Sequence, residues 1–192
     1  MFNVAQIEGL PKEEYNPPAP TENGARVQLV DEAEGFIAGT GAVVQHGGGR
    51  AFYAPESDHI QMPPLQAFND AESYTATKVH ELVHWSGHPA RLQRQFGKRF
   101  GDDAYAFEEL IAELGSAFLC ADMAVTLQTR ADHASYLASW LKVLKGDKRA
   151  IFTAASAAQK ACDYLHGLQT ASTQRSDAPL IIVEAAGVIT CR

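Results

Sequence analysis

The feature that most constrains this chain is the pentapeptide His80-Glu81-Leu82-Val83-His84, which lies inside a predicted helix. Residues four apart lie on one face of an α-helix, so the two imidazoles of this H-E-x-x-H pattern can bind one metal ion. Glu81 points about 100° around the helix from His80 and can reach a water beside the metal without being a ligand. The pattern predicts zinc-assisted hydrolysis with Glu81 as general base.

The sequence around the motif predicts one helix over residues 71–86. Asn69 is a candidate N-cap, and Glu72 three residues later would complete a capping box. The segment contains no glycine or proline, whereas Gly87 and Pro89 follow directly and favour a helix end there. Apolar residues beside the histidines indicate that the helix is partly buried.

A catalytic zinc site needs a third protein ligand and an open position for water. The longer metzincin pattern would place a histidine at position 90, which is Ala90, and His88 would need a different turn. A second helix is predicted over residues 104–123, where Glu109 and Glu113 lie four residues apart beside an apolar stripe. Burying such carboxylates is costly unless they are paired or bind metal, so we predict Glu109 as the third ligand.

The neighbouring acidic residues have different predicted roles. We expect Glu113 to accept a hydrogen bond from the second ring nitrogen of a ligand histidine. Glu108 is the fallback ligand, although a solvated position on the helix surface is the simpler interpretation. His88 is a minor alternative ligand. The other histidines at positions 46, 59 and 166 are interpreted as non-ligands.

Many ordered segments of the chain resemble the zincin-like metallopeptidase domain at the C-terminal end of plasmid antirestriction proteins of the ArdC type. Related domains occur in plasmid primase-like proteins and phage polyvalent proteins. The resemblance covers roughly residues 2–168. It depends on the segments FNVAQIEGLP (2–11), HGG (46–48), AFY (51–53), DHIQMPP (58–64), 70–92 around HELVHWSGHP, EELIAELG (108–115), SWLKVLK (139–145) and DKRAIFTAA (147–155).

The resemblance implies a zincin-like fold and a zinc site with ligands His80, His84 and Glu109 and with Glu81 as base. It also implies a role in mobile-element biology, in which an incoming plasmid is protected from host restriction. Members of the family usually carry an N-terminal domain that binds single-stranded DNA, and this sequence begins at the metallopeptidase boundary. We therefore expect contact with single-stranded DNA only through such a domain.

Composition favours one domain, because 192 residues with 46% hydrophobic content can bury a sizeable core. A net charge of −7 argues against DNA binding by this chain unaided. The one cationic cluster is interpreted as a solvated loop, with a phosphate contact as the alternative, and it comprises Arg91, Arg94, Lys98 and Arg99. Three dispersed cysteines, no signal peptide and no long apolar run predict a cytoplasmic protein without a membrane partner.

The order of elements predicts an α+β fold with a small sheet packed on a helical bundle and the H-E-x-x-H helix at its centre. Residues 1–168 form the predicted domain, with an extended segment over 1–25, and 169–192 form a tail. A helix is predicted over 27–38 and strands over 42–45, 51–53 and 59–62, joined by turns at 47–49 and 55–58. Two further helices are predicted over about 133–145 and about 148–166, ended by Gly146 and Gly167.

Residues 58–62 lie directly before the metal-binding helix. In zincins generally, an edge strand beside the metal pairs with extended substrate by strand addition. By analogy we predict that Asp58, Ile60 and Met62 contact a peptide substrate; a purely structural strand is the alternative interpretation. Candidate donors to the tetrahedral oxyanion are Tyr105, His133, Tyr136 and Arg149.

These features favour a zinc endopeptidase that acts on a protein target, because the candidate general base Glu81 is present. The first alternative is a non-catalytic, zinc-stabilised module of an antirestriction protein. An acidic decoy of a DNA-binding enzyme is the last alternative, because a charge of −7 over 192 residues is modest for that role.

Overall fold

The computed structural model describes residues 23–96, 103–125, 140, 141 and 144–176. The elements run in the order α1 (Asn23–Gly39), β1 (Val43–His46), β2 (Phe52–Ala54), β3 (His59–Met62), a short 3-10 helix (Leu65–Ala67), α2 (Ala71–Ser86), α3 (Asp103–Asp122) and α4 (Ala150–Ser176). The predicted α+β class is therefore confirmed. The predicted strands and the helices over 71–86 and 104–123 are present, with ends that differ by at most one residue.

The three strands form a mixed sheet in the order β1-β3-β2. β2 and β3 are antiparallel, with Tyr53 opposite Ile60, as expected for strands joined by the turn at 55–58. β1 is parallel to β3, with Val44 beside Ile60. The predicted turn at 47–49 therefore joins two strands, β1 and β2, that are not neighbours in the sheet.

β3 is the central strand of the sheet and not an edge strand. Both of its sides are hydrogen-bonded to neighbouring strands, so no row of backbone groups is free to pair with a peptide. The side chains of Ile60 and Met62 are fully buried in the core. The prediction that residues 58–62 receive a substrate by strand addition is therefore wrong.

Helix α2 lies at the centre of the domain. Every residue from Tyr74 to Ser86 is buried, and the helix contacts the sheet as well as α1, α3 and α4. Its N-cap is Asp70 and not Asn69, because the Asp70 carboxylate accepts a hydrogen bond from the backbone N–H of Ser73 at 2.6 Å. Burial on all sides fixes the orientation of both histidines.

Several predicted boundaries differ from the structure. Residues 23–25 of the predicted extended segment belong to α1, and residues 1–22 lie outside the described residues. Helix α4 continues past Gly167 to Ser176, so the proposed domain end at 168 falls inside a helix. The Gln169 side chain donates a hydrogen bond to the backbone oxygen of Phe36, which ties this last part of α4 to α1. Of the helix predicted over 133–145, the described residues 140, 141, 144 and 145 are helical.

Candidate metal centre

Two adjacent helices bring His80, His84 and Glu109 to one buried point. The metal-ligating atoms of these residues all lie within 4.8 Å of one another. His80 Nε2 is 3.5 Å from Glu109 Oε2, and His84 Nε2 is 3.6 Å from Glu109 Oε1. The Nε2 atoms of both rings therefore face one carboxylate.

Close contact between α2 and α3 makes this convergence possible. Gly115 lies against Val83, so that a Cβ at position 115 would be 2.9 Å from Val83 Cγ1. One residue later, Ser116 Oγ donates a hydrogen bond to the backbone oxygen of Ala76 at 3.3 Å. The glycine that interrupts the apolar pattern of α3 thus brings the two helices together beside Glu109.

The second nitrogens of the two imidazoles have unequal partners. His84 Nδ1 lies 3.2 Å from Glu108 Oε1 in hydrogen-bond geometry. His80 Nδ1 lies 3.4 Å from Glu113 Oε1, but it has no hydrogen-bond partner among the described residues. Glu108 is only 3% exposed, so its interpretation as a solvated surface residue is wrong.

Arg94 is the residue of this centre that the sequence did not indicate. Its guanidinium donates to both carboxylate oxygens of Glu108, with Nε 3.0 Å from Oε2 and Nη2 2.9 Å from Oε1. Arg94 lies in the loop after α2, where no periodic pattern shows which way a side chain points. The only signal in the sequence was its place in the cationic cluster after α2, and this did not connect Arg94 to Glu108.

Arg94 and Arg91 also correct the interpretation of the cationic cluster as a solvated loop. Both side chains are largely buried and form ion pairs, Arg94 with Glu108 and Arg91 with Asp58. Arg91 also stacks on Trp85 at 3.8 Å from the ring centroid. Lys98 and Arg99, the other members of the cluster, lie outside the described residues.

Charges around the site shift the pKa of its members in opposite directions. Burial lowers the pKa of His84, but hydrogen bonds to Glu108 and Glu109 and the charge of Glu81 outweigh it and raise that pKa to about 10. Burial raises the pKa of Glu109, but His80 and His84 outweigh it and hold this pKa well below its usual range. A divalent cation bound at this point would take the place of the proton that these charges favour.

The donor set fits a divalent transition metal. Two ligands on one tetrahedral zinc, each about 2.0–2.1 Å from the ion, are about 3.3–3.4 Å apart. The two Nε2-to-carboxylate distances of 3.5 and 3.6 Å are close to that separation. Two imidazoles and one carboxylate, all buried, are ligands that zinc accepts.

Glu81 is buried on α2 between the two histidines, with 6% of its surface exposed. Asp58, which we predicted to bind substrate, instead accepts hydrogen bonds from the Arg91 guanidinium and from the Tyr53 hydroxyl. That contact joins the β2–β3 turn to the loop after α2.

The remaining predicted candidates lie elsewhere. His88 accepts a hydrogen bond from the backbone N–H of Ala90 at 3.1 Å and is not part of the His/His/Glu cluster. Arg149 lines a surface pocket with Phe152 and Lys160. His133 and Tyr136 lie outside the described residues, and Tyr105 is half-buried on α3. His46, His59 and His166 contact Tyr74, Ser57 and Asp122, respectively.

A mixed sheet beside a central H-E-x-x-H helix, with a glutamate from the following helix completing a candidate three-ligand site, is the arrangement of a zincin-like domain. The chain belongs to the zincin-like metallopeptidase family, whose model matches residues 31–157. The family resemblance found in the sequence is thereby confirmed. Within the described part of the chain, no helix is long and apolar enough to cross a membrane.

Two curated relatives show where such domains occur. The chain is 45% identical over 178 residues to uncharacterized protein y4eC of Sinorhizobium fredii, covering 92% of this chain and 55% of that protein. It is 38% identical over 189 residues to DNA primase TraC of Escherichia coli, covering 97% of this chain and 17% of the primase. The chain therefore spans about half of the first relative and a small part of the second.

Solved structures of the antirestriction protein ArdC from plasmid R388 are similar to this chain. The Mn(II)-bound form is 41% identical with a TM-score of 0.66, covering 88% of this chain and 60% of that one. The metal-free form is 40% identical with a TM-score of 0.65 and the same coverage. The zincin-like fold expected from the sequence is thus confirmed.

Proposed function

We propose that this chain is a zinc-dependent peptidase domain of an antirestriction protein and that it hydrolyses peptide bonds in a protein target. The observation that carries the proposal is the buried convergence of His80, His84 and Glu109, with Glu81 next to the first ligand on the same helix. Three protein ligands leave a tetrahedral position open, as in catalytic zinc sites, whereas structural sites use four.

The chain's own residues supply acid–base chemistry and orientation. A bound divalent cation would act as a Lewis acid on the scissile carbonyl and would increase the acidity of a water at the site. The Glu81 carboxylate takes a proton from the attacking water. It then delivers that proton to the amide nitrogen as the C–N bond breaks, so that a carboxylic acid and an amine are released. Burial of the surrounding helix excludes bulk water from this carboxylate.

Zinc is our proposed metal because two imidazoles and one carboxylate suit its tetrahedral preference. The R388 ArdC structure holds Mn(II), and this supports a site in the family that accepts divalent transition metals. The same relative supports the antirestriction context, and a component of a host restriction system is the proposed class of protein target. We propose a cytoplasmic location, where such a target would be met.

The test compares wild type with Glu81→Gln, which removes the base but retains the side-chain volume. Both proteins, each with the whole 192-residue chain, are loaded with zinc and incubated with a mixed peptide library, and cleavage is followed by mass spectrometry. We expect about one zinc per chain in both proteins and a loss of cleavage in Glu81→Gln of about 10²–10⁴-fold. Equal cleavage by the two proteins would contradict the role of Glu81.

The same experiment distinguishes the alternative of a non-catalytic module. Wild type that holds one zinc, is folded and cleaves neither peptides nor restriction-system proteins would overturn the peptidase proposal. Protection of plasmid DNA from restriction in cells is then compared for wild type, Glu81→Gln and His80→Ala. Protection that survives Glu81→Gln and is lost in His80→Ala would favour a metal-stabilised binding module.

A further inference from the structure

We propose that Arg94 and Glu108 form a buried clamp that fixes the His84 imidazole for metal binding, which makes both of them positioning residues of the metal centre. The inference rests on the metal centre of the proposed function but not on its peptidase chemistry. We call this pair the Arg94–Glu108 clamp.

The clamp determines which nitrogen of His84 faces the metal position. Glu108 Oε1 lies 3.2 Å from Nδ1, and a carboxylate flanked by a guanidinium is an acceptor. In the neutral ring, the form that can bind a metal ion, Nδ1 therefore carries the hydrogen, and the lone pair is left on Nε2. That Nε2 lies 3.6 Å from Glu109 Oε1, on the metal side. One hydrogen bond thus selects the tautomer and the ring rotation that a ligand needs.

Consecutive residues of α3 hold the two sides of one imidazole. Glu108 and Glu109 are separated by about 100° around the helix, so their carboxylates diverge. Glu108 meets Nδ1 of His84, and Glu109 meets Nε2 of the same ring. A small rotation of α3 would therefore disturb both contacts, and the clamp prevents it from the Glu108 side.

Arg94 is well placed to hold Glu108 because it is itself fixed at the end of α2. Its Nη2 lies 2.5 Å from the backbone oxygen of Val83, and its Nη1 lies 2.9 Å from Ser86 Oγ. Position 87 provides the space: a Cβ on Gly87 would be 2.8 Å from Arg94 Nη2. Gly87 has a helical φ of −79°, so a side chain there would cause no backbone strain but would displace the Arg94 guanidinium.

The Nδ1 atom of His80, the other histidine of the metal centre, is held less firmly than that of His84. His80 Nδ1 is 3.4 Å from Glu113 Oε1 without a hydrogen bond among the described residues. The geometry around His84 is therefore the more tightly defined half of the site. Losing the clamp should free the ring that the protein otherwise positions best.

The test measures Zn²⁺ affinity of the full chain by competition with a chromophoric chelator, together with urea unfolding of the metal-free proteins. The variants are Glu108→Gln and Arg94→Met. The matched control is Arg91→Met, because Arg91 also donates to a carbonyl at the α2 end, that of Trp85, and also forms an ion pair, but contacts no metal-site residue. We expect both clamp variants to bind Zn²⁺ about 10–100-fold more weakly. The control should lower the urea midpoint and leave Zn²⁺ affinity within about threefold.

Two outcomes overturn the clamp: unchanged Zn²⁺ affinity in folded clamp variants, or an equal loss in Arg91→Met. If Arg94→Met fails to fold, Gly87→Ala displaces the guanidinium more gently and is expected to give a similar loss of affinity. Co²⁺ absorption spectra give an independent readout, since a freed His84 ring changes the ligand geometry in clamp variants but not in the control. Absence of metal from wild type would overturn the proposed metal centre, whereas metal binding without peptide cleavage would leave the clamp intact.

Discussion

Gly115 on α3 lies directly against Val83 on α2, and this contact sets the distance between the two helices that carry the metal site. A Cβ at position 115 would be 2.9 Å from Val83 Cγ1 and 3.0 Å from Cγ2. We expect Gly115→Ala to destabilise the metal-free protein by about 1–2 kcal/mol, because overpacking outweighs the higher helix propensity of alanine. Zn²⁺ affinity should also fall, since Glu109 moves away from the two imidazoles. Urea unfolding and zinc titration measure the two effects.

The control for this substitution is Gly35→Ala in α1. Nothing lies within 4 Å of a Cβ built on Gly35, so the same chemical change meets no neighbour there. It should be neutral or stabilise the protein by up to about 1 kcal/mol and leave zinc binding unchanged. A stable Gly115→Ala with wild-type zinc affinity would mean that the helix spacing at Val83 does not control the site.

Removing a metal ligand should abolish tight metal binding without unfolding the chain. For His80→Ala and Glu109→Gln we expect a loss of zinc affinity larger than the roughly 10–100-fold typical of outer contacts. His88→Ala is the control, because His88 lies outside the His/His/Glu cluster and accepts a hydrogen bond from Ala90. Elemental analysis of the purified proteins measures bound zinc per chain. If Glu109→Gln still binds one zinc per chain, the third ligand is not Glu109, and Glu108 or Glu113 becomes the candidate.

The placement of His80 and His84 side by side was predictable from sequence because it depends on helical periodicity alone. His80 and His84 are four residues apart, and any helix over 71–86 places them on one face. The position of Glu109 beside the two histidines was predictable because an acidic residue next to an apolar stripe needs a partner. Whether Glu108 faces α2 or solvent depends on how α3 is rotated, and that is fixed by contacts such as Gly115 with Val83. Without that rotation, the sequence could not show that Glu108 also turns towards α2.

The sheet was less predictable because strand order is set by distant pairing. The segment 59–62 was correctly predicted as a strand. Its central place in the sheet arises because β1 pairs with it in parallel, although β2 lies between these two strands in the sequence. No local pattern in residues 43–46 indicates that choice. Arg94 was missed for a related reason, since a loop has no period and its side chain finds Glu108 only in the folded domain.

Two buried thiols, Cys120 on α3 and Cys162 on α4, report how far metal binding protects the folded domain. Cys120 and Cys162 are at most 1% exposed, and burial raises the pKa of each thiol to about 11. We expect neither to react with a thiol reagent at pH 8 unless the protein unfolds. Zinc at 100 times its dissociation constant should slow the reaction about 100-fold, because it stabilises the folded state by about 2.7 kcal/mol. The experiment uses the Cys191→Ser variant, so that only Cys120 and Cys162 can react. Fast labelling of these two thiols at a rate independent of zinc would contradict the prediction.

The ion pair of Asp58 with Arg91 should give a defined dependence of stability on pH. Hydrogen bonds from Arg91 lower the pKa of Asp58 from 3.8 to about 2, against the effect of burial. A carboxyl whose pKa is lower in the folded state stabilises that state above its unfolded pKa. The contribution is then lost as pH falls from about 4 to about 2. Because the Asp58 side chain is 41% exposed, solvent screening limits the contribution to about 0.2–1 kcal/mol.

The test compares the unfolding free energy of wild type and Asp58→Asn between pH 3 and pH 7. Asparagine retains the side-chain size and tolerates the left-handed backbone of this position, where φ is 50°. The difference between the two proteins should be largest above pH 4 and shrink below it, while the titration of all other carboxylates cancels. Zinc affinity should be the same in both proteins, since Asp58 contacts Arg91 and Tyr53 rather than the metal site. If the difference in unfolding free energy grows on acidification, Asp58 is not the group that Arg91 holds ionised. A loss of zinc affinity in Asp58→Asn would mean that residue 58 does contribute to the metal site.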